Sequence, residues 1–241
     1  MNAPSATRRS VAVLAAAVAM TLASSLATAA VHASTIRGHA GHQHLVGGKH
    51  QDRISAGPGR DTIDGKGGAD DLNGGRGNDK VIGGPGGDRV MGGDGDDRAD
   101  GGSGNDDVIG IAGDDSLSGS DGNDHVSGGT GNDIVSGGPG RDEMDGGDGN
   151  DTIDAGDGAD SITGDKGSDV IYPGGGADRV YAEEGPANHV VATDDGVRDD
   201  IWCVRGEMIG RVSGLLTYVG HRDPRDTIHG CRVEVVPGSP S

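Results

Sequence analysis

Fifteen aspartates stand on an unbroken nine-residue grid: Asp52, Asp61, Asp70, Asp79, Asp88, Asp97, Asp106, Asp115, Asp124, Asp133, Asp142, Asp151, Asp160, Asp169 and Asp178. Two residues before each, from Gly59 to Gly176, stands a glycine. Glycine accepts positive φ and lets backbone carbonyls converge on one point, which residues with a Cβ resist. Converging carbonyls with one carboxylate are the donor set of a hard cation. Calcium takes six to eight oxygens at about 2.3 to 2.6 Å, more than one short turn supplies, so a second turn must stack on the first.

The elements that position these turns are written in the same period. Two residues after each aspartate comes an aliphatic side chain, running Ile54, Ile63, Leu72, Val81, Val90 and onward to Ile171 and Val180, with only Ala99 undersized. The repeat reads G-G-x-G-x-D-x-U-x, where U is aliphatic. The glycine-rich six residues are expected to turn, and the last three to form a short strand whose central residue points inward. From Gly47 to Tyr181, 135 of 241 residues, the chain resembles the calcium-binding nonapeptide array of the RTX, or haemolysin-type, proteins, and residues 74–81 and 128–135 follow the motif letter for letter. The resemblance implies an all-β, right-handed parallel β-roll with two nonapeptides per coil. Stacked neighbours then lie eighteen residues apart, pairing Asp61 with Asp79 and Asp70 with Asp88. It also implies calcium on the fifteen grid aspartates, up to about thirteen ions. At about 4.8 Å per coil, seven and a half coils give a rod of about 36 Å.

Deviations fall at defined places. His50 replaces a fourth-position glycine, Lys66 and Asp165 second-position ones, Ala56 and Ala155 first-position ones, and Ile111 with Ala112 interrupts another turn. The outer coils are expected to bind most weakly.

Composition excludes an ordinary globular core, because the chain has no phenylalanine, one tryptophan and three tyrosines. Residues 47–181 carry 29 acidic and 11 basic side chains, a net of −18 that accounts for nearly all of the chain's −19. Without a cation these carboxylates repel one another and the glycine-rich chain loses much entropy on ordering, so the metal-free array is expected to be disordered.

The ends indicate a compartment. Arg8 and Arg9 precede an alanine-rich apolar run from Val11 to Ala30, with small-residue cleavage points after Ala29 or Ala33. This pattern reads as a secretory signal peptide over 1–33, of general or twin-arginine type, and implies a secreted protein with no stable membrane span after cleavage. RTX toxins and proteases typically carry an uncleaved C-terminal signal instead. Residues 34–46 read as a flexible His-rich arm, in which His39, His42 and His44, with His50 beyond, offer imidazoles to zinc, copper or nickel. After the array at 47–185, residues 186–241 break the period and read as a cap or small domain. Cys203 and Cys231 lie there, 28 residues apart and without a C-x-x-C, and are expected to form a disulfide. Asp199-Asp200-Ile201 and Asp226-Thr227-Ile228 echo D-x-U without the preceding glycines, as degenerate coils would.

Catalysis finds no support. H-E-x-x-H and G-x-S-x-G are both missing from the sequence, and a repeated, solvent-facing aspartate file is the opposite of paired carboxylates in a cleft. Net negative charge without a basic patch disfavours nucleic acid. One threonine among eleven third-position residues disfavours ice binding. The reading is a non-catalytic secreted calcium-binding protein with a structural role. The alternative is a binding module whose C-terminal disulfide domain recognises a partner or glycan while the roll acts as spacer.

Overall fold

The computed structural model describes residues 34–182, 188–193, 195, 197–203, 214–219 and 224–236. The expected signal peptide lies outside them. Twenty-two strands alternate between two eleven-stranded parallel sheets, so that successive strands of the chain lie in opposite sheets and the coil closes every second strand. Within the array each strand pairs with the one eighteen residues on: Leu72 faces Val90, and Val81 faces Ala99. This is the all-β parallel roll expected from the nonapeptide, with the stacking interval it implied.

Thirteen of the twenty-two strands among the described residues run six or seven residues rather than three, as in Asp71–Arg76 and Lys80–Pro85. Pairing resumes past the first-position glycine, with Gly75 facing Gly93 and Arg76 facing Asp94, so only the fourth to sixth places turn. Period-two alternation then sends the sixth, eighth and first places inward and the seventh and ninth outward. The eighth-place residues form the core, each at most 2% exposed from Ile54 to Val180, Ala99 included. Such a file is only one side chain thick in each sheet.

The roll extends beyond the grid at both ends. Residues 34–46, expected as a flexible arm, instead form the first coil through strands Thr35–Arg37 and His44–Val46, with Ile36 and Leu45 packed against the core file. Their spacing of nine continues the U positions although no aspartate precedes them. Past the array, the tail strands pair onto the same two sheets: Ile171 faces Val190, Val180 faces Ile201, Ile201 faces Ile228 and Leu216 faces Val233. The tail is therefore built as further coils, its offsets lengthened by insertions. Cys203 and Cys231 are bonded there, with Cα atoms 5.1 Å apart, and tie the last coils together.

Along the outer face of the sheet that starts at Thr35–Arg37, seventh-place charges alternate and pair across coils, Arg53 with Asp71 and Arg89 with Asp107. At its far end Tyr181, Trp202 and His229 stack in register, the Trp202 and His229 ring centres 3.6 Å apart.

Candidate metal centre

All fifteen grid aspartates are buried, none more than 4% exposed, and not solvent-facing as their charge led us to expect. The sixth place falls on the inward side of the chain, and two backbone features receive the carboxylate. One Oδ1 accepts the backbone N–H of the aspartate eighteen residues earlier: Asp79 from Asp61, Asp97 from Asp79 and Asp115 from Asp97, each at 2.7 Å. The first-position glycine of the same turn supplies room. A Cβ on Gly65 would lie 2.5 Å from Asp70 Oδ2 and 2.7 Å from the Gly83 carbonyl oxygen. One on Gly74 would lie 2.6 Å from Asp79 Oδ2 and 2.5 Å from the Gly92 carbonyl. This glycine has an ordinary negative φ; it is needed for space.

The second position needs glycine for the opposite reason. Its φ is positive, and the four non-glycine residues with positive φ among the described residues, Lys66, Ile111, Ser120 and Asp165, all stand there. The turn keeps its shape at about 1 to 2 kcal/mol per substituted residue. Ser120 belongs with the three deviations noticed in the sequence.

The second carboxylate oxygen is where the arrangement is incomplete. Oδ2 of every grid aspartate from Asp61 to Asp178 is buried without a hydrogen-bond partner, fourteen in all. Asp52 differs, since its Oδ2 accepts the Gly48 N–H at 2.6 Å. Native proteins rarely leave buried polar atoms unpaired, and a buried bare carboxylate is among the costliest groups to leave so. Burial, with smaller contributions from facing carboxylates in neighbouring coils, raises the pKa of Asp97, Asp115, Asp151 and Asp178 to about 7 and of Asp70, Asp106, Asp142 and Asp169 to about 6, despite the bound N–H pulling them down.

Nine of the fourteen orphaned Oδ2 atoms, from Asp70 to Asp169, thus share a small space with the carbonyl oxygen of a first-position residue one coil on. The family model for the RTX calcium-binding nonapeptide repeat matches in four copies, at residues 46–81, 82–117, 109–144 and 145–180. The chain belongs to this family. No curated protein sequence matches it.

The RTX donor set fits a calcium ion by its chemistry: all oxygen, one carboxylate per turn, the remainder from the backbone. Among the described residues no three His, Cys, Asp or Glu side chains converge on one point, so the carboxylates cannot suffice without carbonyls. The histidines of the first coil do not gather either. His39 Nδ1 bonds the Ala40 carbonyl, and His42 Nδ1 bonds the Arg60 backbone from the next coil.

Sequence reading by a fixed period missed residues that continue the RTX file off the grid. Asn188 accepts the N–H of Asp169, Asp199 that of Asp178, and Asp226 that of Asp199, at intervals of 19, 21 and 27. The D-x-U echoes at 199 and 226 were their only visible signal. Asn188 gave none, being a neutral amide where an aspartate would stand.

A pH dependence follows. The eight carboxylates raised to about 6 or 7 titrate near 4 when unfolded and higher when folded without metal, so folding favours their protonated form. Stability from this source is complete below about pH 4 and lost as pH rises through about 6 to 7. In excess chelator, circular dichroism is expected to show more β-structure at pH 5.5 than at pH 8. With calcium the sign reverses, since protons compete and the calcium midpoint rises on acidification. Identical chelated spectra at the two pH values would mean that the carboxylates are not buried.

Proposed function

We propose that the protein is a secreted, non-catalytic calcium-binding rod that folds outside the cell on binding calcium and serves as an extracellular spacer or presenting structure. The observation that carries this reading is the file of fourteen buried Oδ2 atoms without partners, nine of them beside a carbonyl of the stacked turn. Asp61 to Asp178 and those carbonyls would hold the ions, with Asp52 at the weak edge and up to about thirteen shared sites in total. Bound calcium would supply the positive charge that the buried carboxylates lack.

The chain's own residues set the conditions. Oδ1 fixes each carboxylate through a backbone N–H, so Oδ2 is held at a set position before any ligand arrives. The first-position glycines keep that position open. Extracellular calcium modules have dissociation constants near 10⁻⁴ to 10⁻³ M, so the array is unfolded at cytoplasmic calcium and export through the leader at 1–33 precedes folding. Its partners are calcium ions and an envelope or extracellular component, with no nucleic acid and no stable membrane span after cleavage. Two supports for a non-catalytic role are that the buried carboxylates repeat identically instead of forming a differentiated pair, and that H-E-x-x-H and G-x-S-x-G are missing.

The test compares two positions by calcium titration. Asp97→Ala removes an orphaned carboxylate in mid-roll and leaves the Asp79 N–H without its acceptor. Asp52→Ala removes a carboxylate whose oxygens are both already bonded within the protein, to the Ser34 and Gly48 N–H groups. Nearest-neighbour coupling along a solenoid makes the central change costlier. The calcium midpoint of circular dichroism is expected to rise at least about threefold more for Asp97→Ala than for Asp52→Ala, because both variants lose backbone hydrogen bonds and only Asp97→Ala also removes an orphaned oxygen in mid-roll, where its neighbours depend on it. Equal shifts would argue for independent, unstacked sites.

A further inference from the structure

We infer that a depression on the outer edge of the last array coils binds an acidic oligosaccharide. The fifth-position residues form two exposed rows, one along each turn edge. One row is continuous, Asp96, Asp114, Asn132 and Asn150 each accepting the backbone N–H of the next coil. The other carries this contact only at Asn105 and Asn123, which accept from Asn123 and Arg141, with Gln51, Ala69 and Gly87 before them and alanines after Arg141. Ala159 and Ala177 leave a gap between Arg141 and Arg198, and this gap is the floor of a depression of about 530 Å³.

Arg53, Arg76 and Arg89 are spent on carboxylates in the next coil. Arg141 and Arg179 line the depression with no ion pair among the described residues, and Arg198 donates through Nη2 to Thr227 at 2.7 Å. Three arginines thus line one depression in a chain of net charge −19. Glu143, Asp200 and Ser161 line the same space, with the buried Asp142, Asp160 and Asp178 behind them. The mixture selects the ligand. A bare dianion would be repelled by Glu143 and Asp200, whereas a sugar offers hydroxyl donors to them, a carboxylate to Arg141 and Arg179 by charge-assisted bonds, and a C–H face to the two alanines. The volume is that of a small-molecule site rather than an inorganic ion. The Oδ2 atoms of Asp142, Asp160 and Asp178 are buried behind this edge while Arg141, Arg179 and Arg198 are exposed on it, and the site needs only the folded roll.

Calorimetry on the full chain at roughly 10 mM calcium, a concentration above the extracellular affinity range, tests it with digalacturonate as probe. Binding is expected to weaken at least about tenfold in R141A/R179A, which loses two charge-assisted contacts. It should stay within about twofold in R76A/R89A, which removes equal charge from the paired rows. A159N/A177N is a second, independent variant: asparagine occupies this place in other coils, so the chain is expected to keep its calcium midpoint while the filled floor costs a similar tenfold. Circular dichroism separates failure to fold from failure to bind. Equal binding by wild type, R141A/R179A and A159N/A177N overturns the site, as does binding of maltose or of an Asp-Asp dipeptide as tight as that of digalacturonate.

Discussion

In excess chelator at pH 8 the far-UV circular dichroism of the chain is expected to lose most of its β-signal, and to regain it on adding roughly 10 mM calcium, above the affinity range of extracellular modules. Three quantities set the size of this effect. Fourteen carboxylate oxygens are buried without partners. Forty-four glycines among the described residues must be ordered, each at a greater backbone entropy loss than any other residue. The opposing apolar gain comes from a file of single Val, Ile and Leu side chains without one phenylalanine. Magnesium at the same concentration is expected to fail, because it demands near-octahedral geometry at about 2.0 to 2.1 Å and gives up its waters reluctantly, while turns built of carbonyls suit the larger ion. A β-signal at pH 8 that is the same in chelator as in calcium would overturn calcium-coupled folding, and equal folding in magnesium would reduce it to charge screening.

Val90→Asp is expected to abolish the calcium-induced β-signal, or to raise its midpoint more than about tenfold, although it leaves every proposed ligand in place. Val90 is fully buried and faces Leu72 on one side and Val108 on the other. A carboxylate there has only aliphatic neighbours in register, and a buried unpaired charge costs on the order of 4 kcal/mol or more. Val90→Ala serves as the control. It costs about 1 to 3 kcal/mol through the cavity left behind, and Ala99 already holds such a place in the next repeat. An unchanged midpoint for Val90→Asp would show that the eighth-place residues do not form the core.

Much of this protein is legible because each coil solves the same local problem. A turn that must bring carbonyls together wants glycine, a strand that must bury one side wants an aliphatic residue in the middle, and a solenoid repeats both demands at a fixed interval. The grid from Asp52 to Asp178, the inward file from Ile54 to Val180, the eighteen-residue stacking and the Cys203–Cys231 bond all follow from such demands and are all found. The echoes at Asp199 and Asp226 were also legible, since D-x-U survives without its glycines.

What a period cannot carry is what depends on neighbours across coils. The first coil at 34–46 has no aspartate and many histidines, and only the open face of Ile54 and Ile63 gives Ile36 and Leu45 somewhere to pack. Insertions of varying length hide the register that joins Asn188 and Leu216 to the sheets, because the hydrogen-bond ladder counts stacked residues and the sequence counts all of them. The aspartates read as solvent-facing because an isolated carboxylate prefers water. The side of the chain on which each one lies is fixed by strands that continue past the first glycine, and its burial is made tolerable by an N–H from the coil before and space over a glycine in its own turn. The nine-residue grid therefore determined the residue types and their spacing, and the stacking of coils alone decided that the carboxylates turn inward, where one oxygen of each is held and, from Asp61 to Asp178, the other is left without a hydrogen-bond partner.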